Sequence, residues 1–207
     1  MFHPTELLRL PYQKKSFPEL DAYVRHSAEE ARRLTPPPRE SAVIIALFQE
    51  EGEYKMTLIK RPEYNGVHSG QMAFPGGKRD DEDMDLAETA RREYFEELSY
   101  RLDNDMELHA LSEIYIPPSK LLVQPFVVEL YAPPTYVPDQ REVADVVAFP
   151  LRELGKNMQV LIHDVYMPHR EMTVKVPAIP CGNYLIWGAT AIMIYELRDR
   201  LKLSDFF

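Results

Sequence analysis

Apolar residues along this chain fall mostly into short runs, and only three stretches switch to helical spacing. The first, residues 18–34 (PELDAYVRHSAEEARRL), sets Leu20, Tyr23, Val24, Ala28, Ala31 and Leu34 three or four positions apart behind Pro18 and predicts an amphipathic helix. Pro36, Pro37 and Pro38 cannot continue it, since none has an amide hydrogen, so an extended connector is expected. SAVIIALF (41–48) and YKMTLIK (54–60) are β-rich runs flanking QEEGE, whose Gly52 predicts a turn and hence a hairpin. After a loop over 61–71, MAFPGG predicts a short strand running into a diglycine. Helical spacing returns from Asp85 to Leu98, with Asp85 and Glu88 placed as a capping box. Apolar runs at 107–116, 121–131, 143–149 and 159–167, and weaker ones at 172–176 and 184–187, predict strands. From Gly188, GATAIMIYELRDRLK predicts a closing helix through Ala191, Ile192, Ile194, Tyr195, Leu197 and Leu201.

Strands, an early helix, more strands and a last helix argue for a mixed-sheet α/β or α+β sandwich rather than a repeating βα series. A length of 207 residues suits one hydrophobic core with a modest appendage, so residues 1–40 are expected to form an extension and 41–207 the domain. With 45% hydrophobic and 28% charged residues, the composition excludes a disordered or collagenous chain. Thirty-three acids against 24 bases leave a formal charge of -9, which disfavours nucleic acid as a partner and obliges any anionic substrate to find cations locally. The single cysteine, Cys181, cannot form an internal disulfide, and no Cys/His spacing suits zinc, so a reducing compartment is expected. No signal-like core opens the chain and no apolar run reaches the ~18 residues of a membrane span, which predicts no membrane partner and a cytoplasmic location.

The chemistry concentrates in GGKRDDEDMDLAETARREYFEELSY, residues 76–100. Glu93, Glu96 and Glu97 share one face of the predicted helix, within a sector of about 100° at 3.6 residues per turn. Leu86, Ala90, Tyr94 and Leu98 form the adjoining apolar stripe, with Glu97 at its edge. Like charges at such spacings cost a helix ~0.2–0.5 kcal/mol per pair, and burial of Glu97 would add desolvation. Arg92, four residues before Glu96, can orient a carboxylate, but one arginine does not neutralise three acids. A hard divalent cation such as Mg²⁺ does, through oxygen ligands that a glutamate cluster and a backbone carbonyl supply. A solvated acidic face is the alternative. Gly76 and Gly77 permit a close backbone approach that would bring a carbonyl to a metal or phosphate, or they simply turn the chain.

Taken together, Gly77 to Tyr100 resembles the Nudix box, G-x5-E-x7-R-E-U-x-E-E-x-G-U. Its second half, Arg92, Glu93, Tyr94, Phe95, Glu96 and Glu97, matches fully. Counting from Gly77 puts Asp83 at the first-glutamate position, eight rather than seven residues then precede Arg92, and Ser99 replaces the last glycine. The longer box is similar to that of the coenzyme A pyrophosphatase branch, GGKRD...D...T..RE..EE, through Gly76, Gly77, Lys78, Arg79, Asp80, Asp83, Thr89, Arg92, Glu93, Glu96 and Glu97. Of that branch's upstream signature the chain keeps Arg61, Gly70, Gln71, Phe74, Pro75, Gly76 and Gly77, but Gly66 stands where the branch has a second arginine. EVADVVAFPLREL from Glu142 and YLIWGATAIMIYEL from Tyr184 extend the likeness, which spans roughly 41–201.

The resemblance implies an α/β/α Nudix sandwich with a mixed sheet, and a hydrolase that cleaves the pyrophosphate bond of a nucleoside diphosphate linked to another moiety. It implies Glu93, Glu96, Glu97 and the Gly76 carbonyl as ligands of Mg²⁺ or Mn²⁺, Arg92 as the group orienting a carboxylate, and Glu93 or Glu97 as the base. Within the branch the reaction takes coenzyme A to 3′,5′-ADP and 4′-phosphopantetheine. The same chemistry on ADP-ribose, a dinucleotide or another nucleotide derivative is the nearer alternative, and a non-catalytic Nudix-fold nucleotide-binding or protein-binding module the further one.

Arg61 and Lys78 are placed to attract an acidic substrate, or to pair with nearby acids. Glu142, at the start of a predicted strand, supplies a further carboxylate or a solvated charge. His68 can meet a phosphate from its loop, although an incidental loop histidine is the plainer reading. Tyr115, Tyr131 and Trp187 are stacking candidates or core. Cys181 has no base partner and is not expected to act as a nucleophile. Residues 1–40, outside the resemblance, either pack on the domain or mediate a homodimer.

Overall fold

The computed structural model describes residues 4–10, 12, 26–64, 66, 68–167 and 171–206. Pro18, Leu20, Tyr23 and Val24 of the predicted N-terminal helix lie outside them. Within them, that helix is only α2 (Ala28–Arg32), following a short α1 (Pro4–Leu8). Ser27 and Glu30 close a reciprocal capping box on α2. Ala31 is buried with Tyr115 and Leu122, and Leu8 joins the main core, so the described parts of the extension pack on the domain.

The hairpin forms as expected, with longer strands. β1 (Arg39–Glu50) and β2 (Glu53–Lys60) are joined by Glu51 and Gly52, both at positive φ. A two-residue turn of that kind matches the twist of the strands it joins. The diglycine is not a turn after a strand. Met72–Ala73 is β3, and Gly76–Lys78 is a strand of its own, β4, lying antiparallel to β1 with Val43 opposite Gly76 and Ser41 opposite Lys78.

Helix α3 (Leu86–Leu98) follows. Asp85 caps it by accepting from the Glu88 amide, whereas the Glu88 carboxylate accepts from the Met84 amide, so the predicted capping box closes one residue further out. The predicted strand over 107–116 divides into β5 (His109–Ala110) and β6 (Ile114–Ile116). The cause is Pro125 in β7 (Leu121–Glu129), which has no amide hydrogen to offer. At the break the Gln124 side chain donates to Leu111 O at 2.8 Å instead. β7 runs parallel to β1 along nine residue pairs, a non-local pairing that joins the halves of the sheet. β8 (Asp145–Pro150) pairs with the far side of β2, and a 3-10 turn, Leu151–Leu154, ends it.

β9 (Leu161–Met167), β10 (Met172–Cys181) and β11 (Tyr184–Trp187) form a separate three-stranded antiparallel sheet. α4 (Gly188–Arg200) leaves β11 directly, and α5 (Leu203–Phe206) ends the described chain.

The alternation of β1 defines the layers. Ala42, Ile44, Ala46 and Phe48 pack with Ala90, Tyr94 and Leu98 of α3. Ile45 and Leu47 face the other way, onto Ala191, Ile194 and Leu197 of α4. The result is the α/β/α sandwich with a mixed sheet that the sequence implies. No helix among the described residues is long and apolar enough to cross a membrane.

Candidate active site

The site forms where β4 passes beneath α3. Gly77 is needed there, because a Cβ on it would sit 2.3–2.4 Å from the three carboxylate atoms of Glu93. Gly76, at φ +148, lies so close to β1 that a Cβ would meet Ala42 O at 2.2 Å. The diglycine thus lets the Glu93 carboxylate rest on the strand backbone. The Gly76 amide donates to Glu97 Oε2 at 2.8 Å, fixing the second glutamate.

Arg92 organises the acids. Its Nε and Nη2 donate to the two carboxylate oxygens of Asp83 at 3.0 and 2.8 Å, a bidentate pair. Nη1 donates to Glu93 Oε1 at 3.0 Å and Glu96 Oε2 at 3.1 Å, and Nη2 also to Lys78 O at 3.0 Å. Asp83, itself buried, accepts further from the Asp80 amide at 3.0 Å and the Thr89 hydroxyl at 2.8 Å. The Arg92 guanidinium and these other donors hold the Asp83 carboxyl well below the usual range. Reciprocally, Asp83 and then Glu93 push the Arg92 guanidinium further up.

Glu93 and Glu97 shift the other way. Burial raises both, and the acids around them add to the effect: Glu96 and Glu142 on Glu93, Glu93 and Glu142 on Glu97. Glu97, whose side chain is 1% exposed, is pushed up to about 8. The Gly76 amide and Arg61, with Nη1 3.9 Å from Glu97 Oε1, offset this only in part.

Glu142 lies in the turn before β8 rather than at the strand's start. It reaches the acids because the preceding loop is tied to the end of α3: the Val137 amide donates to Leu98 O at 3.0 Å and the Asp139 amide to Glu97 O at 2.9 Å. At that helix end Ser99, standing for the box glycine, adopts φ +52, the left-handed conformation that glycine takes more readily.

A cavity of about 940 Å³ opens from this centre. Gly76, Gly77, Glu93 and Glu142 line it with Arg61, His68 and Lys78, as do Trp187 to Thr190 at the start of α4. Of the residues singled out from sequence, Glu93, Glu97, Gly76, Arg92, Arg61 and Glu142 are brought together. Glu96 is tied to them only through Arg92 and is half exposed. Tyr115 is core, Tyr131 is exposed, and only Trp187 of the three aromatics reaches the cavity. Cys181 is buried, and burial lifts its thiol to about 11, which suits the inert role expected of it. Asp83 was signalled only by its count from Gly77, and Arg39, which also lines the cavity, by nothing in the sequence pattern.

Among the described residues, no three His, Cys, Asp or Glu side chains stand close enough to enclose an ion, because Arg92 draws Glu93 and Glu96 and the Gly76 amide draws Glu97. The donor set nonetheless fits a hard divalent cation. It consists of oxygen atoms, Glu97 is buried and Glu93 half-buried with incomplete charge compensation, and Gly77 leaves the Glu93 oxygens in reach of the strand backbone.

The sandwich and its carboxylate centre match those of the Nudix pyrophosphohydrolases, a class of generally divalent-cation-dependent enzymes acting on small nucleotides. The chain belongs to the Nudix family: the NUDIX domain model matches residues 37–173. It is 30% identical over 165 residues to the human mitochondrial coenzyme A diphosphatase NUDT8, covering 78% of this chain and 69% of that one. It is 31% identical over 174 residues to the uncharacterised Nudix hydrolase NudL of Yersinia pestis, covering 80% and 81%. Among solved structures, the NUDIX domain of Shewanella oneidensis NrtR, complexed with ADP ribose, superposes with a TM-score of 0.53 at 15% identity over 85% of this chain and 99% of that one. A MutT/nudix family protein from Enterococcus faecalis gives 0.55 at 14% identity over 80% and 62%. At these identities the structural matches speak for the fold alone.

Proposed function

We propose that this enzyme hydrolyses the pyrophosphate bond of coenzyme A and its derivatives, giving 3′,5′-ADP and 4′-phosphopantetheine, with Mg²⁺ or Mn²⁺ as cofactor. Residues 41–207 are the catalytic domain and 1–40 its extension. The observation that carries the reading is the contact of the Glu93 carboxylate with the Gly77 backbone, with Glu97 bonded to Gly76 beside it, at the mouth of a cavity large enough for a nucleotide. The likeness to a coenzyme A diphosphatase supports the substrate class.

Glu93, Glu96, Glu97 and the Gly76 carbonyl would hold the cation. When bound, such an ion neutralises phosphate charge and lowers the pKa of a coordinated water. Glu93 faces the cavity and is the carboxylate positioned to take up the proton of the attacking water, while Glu97 lies buried beside it. Arg92, fixed by Asp83, keeps Glu93 aimed at the substrate. Arg61 and Lys78 present positive charge to the phosphates, and Glu142 adds a carboxylate across the cavity mouth.

A Cβ at Gly66 would lie 2.6 Å from the outer edge of the exposed Tyr64 ring, which can swing aside, so nothing in the local fit explains the missing arginine.

The test is incubation of the purified protein with coenzyme A and with ADP-ribose, in Mg²⁺ and in Mn²⁺, with products separated chromatographically. Release of phosphopantetheine is the expected result. Turnover of ADP-ribose with coenzyme A left intact would overturn the substrate while leaving the reaction class standing. Glu97→Gln should retain the fold, because the amide oxygen still accepts from Gly76, yet lose at least ~10²-fold in turnover. Full activity in that variant removes Glu97 from the machinery.

A further inference from the structure

We propose that Arg39 and Lys78 form a second anion subsite, which receives a phosphate monoester carried on the sugar of the substrate in addition to its diphosphate. The proposal rests on the nucleotide-diphosphate reading of the site above and adds to it a requirement on the substrate's far end.

The cations around the box divide into those already engaged and those that are not. Arg92 is used up by Asp83, Glu93, Glu96 and the Lys78 carbonyl. Arg79 is held by Glu40 at 2.9 Å and by the carbonyls of Asp83 and Met84 at 3.1 and 3.0 Å. Arg61 leans on Glu97. Among the described residues, no ion pair or side-chain hydrogen bond engages the Arg39 guanidinium or the Lys78 ammonium, although both line the cavity. Both side chains are exposed, and in a chain of formal charge -9 they offer a bound anion two positive charges that no acid has claimed.

The sheet register explains how they meet. Ser41 stands opposite Lys78 on one side and Val123 on the other, and Arg39, two residues earlier on β1, stands opposite Leu121. Side chains two apart on a strand share a face, so Arg39 and Ser41 project to the same side as Val43. All three, with Lys78 and Leu121, line the cavity. Asp80 lines it too, but its carboxylate faces Arg92 at 3.7 Å.

The same register sets the spacing. Val43 pairs with Gly76 at the carboxylate centre, and Arg39 is four residues further along β1. At ~3.4 Å per residue Lys78, opposite Ser41, stands ~7 Å from that level and the Arg39 Cα ~14 Å, so the pair lies about one to two sugar widths along the strand from a diphosphate held there. A phosphate monoester carries about -1.5 to -2 at neutral pH, which two cations match.

The experiment is calorimetric titration of the full chain with adenosine 3′,5′-bisphosphate and with AMP. The bisphosphate should bind at least ~10-fold more tightly, since charge-assisted contacts to a phosphate are the strong class. Arg39→Ala should erase most of that preference while changing AMP affinity less than about 2-fold, and Lys78→Ala, whose ammonium also serves the diphosphate, should weaken both ligands but the bisphosphate at least ~5-fold more. Arg39→Lys should retain part of it, which separates loss of charge from loss of fold. Equal affinity for the two ligands in the wild type overturns the subsite. So does a variant that weakens both ligands alike, since the cations then serve only the 5′-phosphate. Coenzyme A turnover is read separately. A wild type that prefers the bisphosphate but leaves coenzyme A intact keeps the subsite and loses the substrate, and one that cleaves coenzyme A without the preference does the reverse.

Discussion

Replacing Asp83 with asparagine tests whether the box works as a device for holding Arg92. The substitution preserves volume and one acceptor oxygen, but it puts an amide donor where Arg92 now donates, so one arm of the bidentate pair turns repulsive. Removing one partner of a buried charge pair costs ~3–5 kcal/mol. Arg92 is a quarter exposed and keeps its bonds to Glu93, Glu96 and Lys78 O, so about half that, ~2 kcal/mol, is expected. For a chain of this size ~2 kcal/mol lowers Tm by about 4–8 °C, measured by calorimetry or circular dichroism. Turnover should fall by about 10²-fold, because Arg92, still bonded to Glu93 but no longer anchored by Asp83, shifts and carries that carboxylate off its aim. The pH dependence follows from the depressed Asp83 pKa. A carboxylate lowered in the fold stabilises it above the unfolded value of ~3.9, and that contribution is lost as pH falls through the folded value. The Tm gap between wild type and Asp83→Asn should therefore be constant from neutral pH down to about 5 and shrink below it. A variant with wild-type Tm and turnover at pH 7 would refute the role assigned to Asp83.

Three further outcomes are expected. Gly77→Ala places a methyl within 2.3–2.4 Å of the Glu93 carboxylate, so Glu93 must swing away; a rise in the metal concentration for half-maximal turnover and a loss of ~10²-fold at saturation are expected, and unchanged metal dependence would contradict the contact. Ser99→Gly relieves a left-handed residue at φ +52 and should stabilise the fold by about 0.5–1 kcal/mol, a Tm gain of ~2–3 °C with activity kept. The Cys181 thiol, 3% exposed and raised to about 11, should resist alkylation at pH 8 until denaturant exposes it; rapid labelling of the native protein would refute its burial.

Elements whose pattern is local were legible in the sequence. The β1–β2 hairpin, α3 and α4 form where periodicity and turn residues place them, because each buries its own stripe against one neighbour. What depends on distant partners was not. Nothing in LLVQPFVVE reveals that it lies parallel to β1, or that Pro125 splits the opposing segment into β5 and β6. The diglycine looks like a turn by composition, yet it is a strand because β1 supplies its ladder and α3 lies too close for side chains. That β9 to β11 form a second sheet follows from the pairing, not from any one run.

At the site, the glutamate spacing on α3 revealed which acids share a face, but not that they differ in environment. Glu96, at the solvent edge, is balanced by Arg92, whereas Glu97 is packed beneath the strand with a single backbone donor and a distant arginine. Burial of that degree depends on β4 and on the loop tied to the end of α3, neither of which spacing on one helix encodes. The same holds for Asp83. Counting along the box singles it out, but its value lies in a fold-back that turns residues 80–83 toward Thr89 and Arg92. The extra box residue is absorbed in that fold-back, before the helix begins, so Arg92 and the three glutamates keep their mutual spacing. An insertion after Asp85 would instead rotate them by ~100° per residue and destroy the centre. The longer box is thus compatible with the same carboxylate geometry because the added length falls on the side of the helix cap where it does no rotational harm.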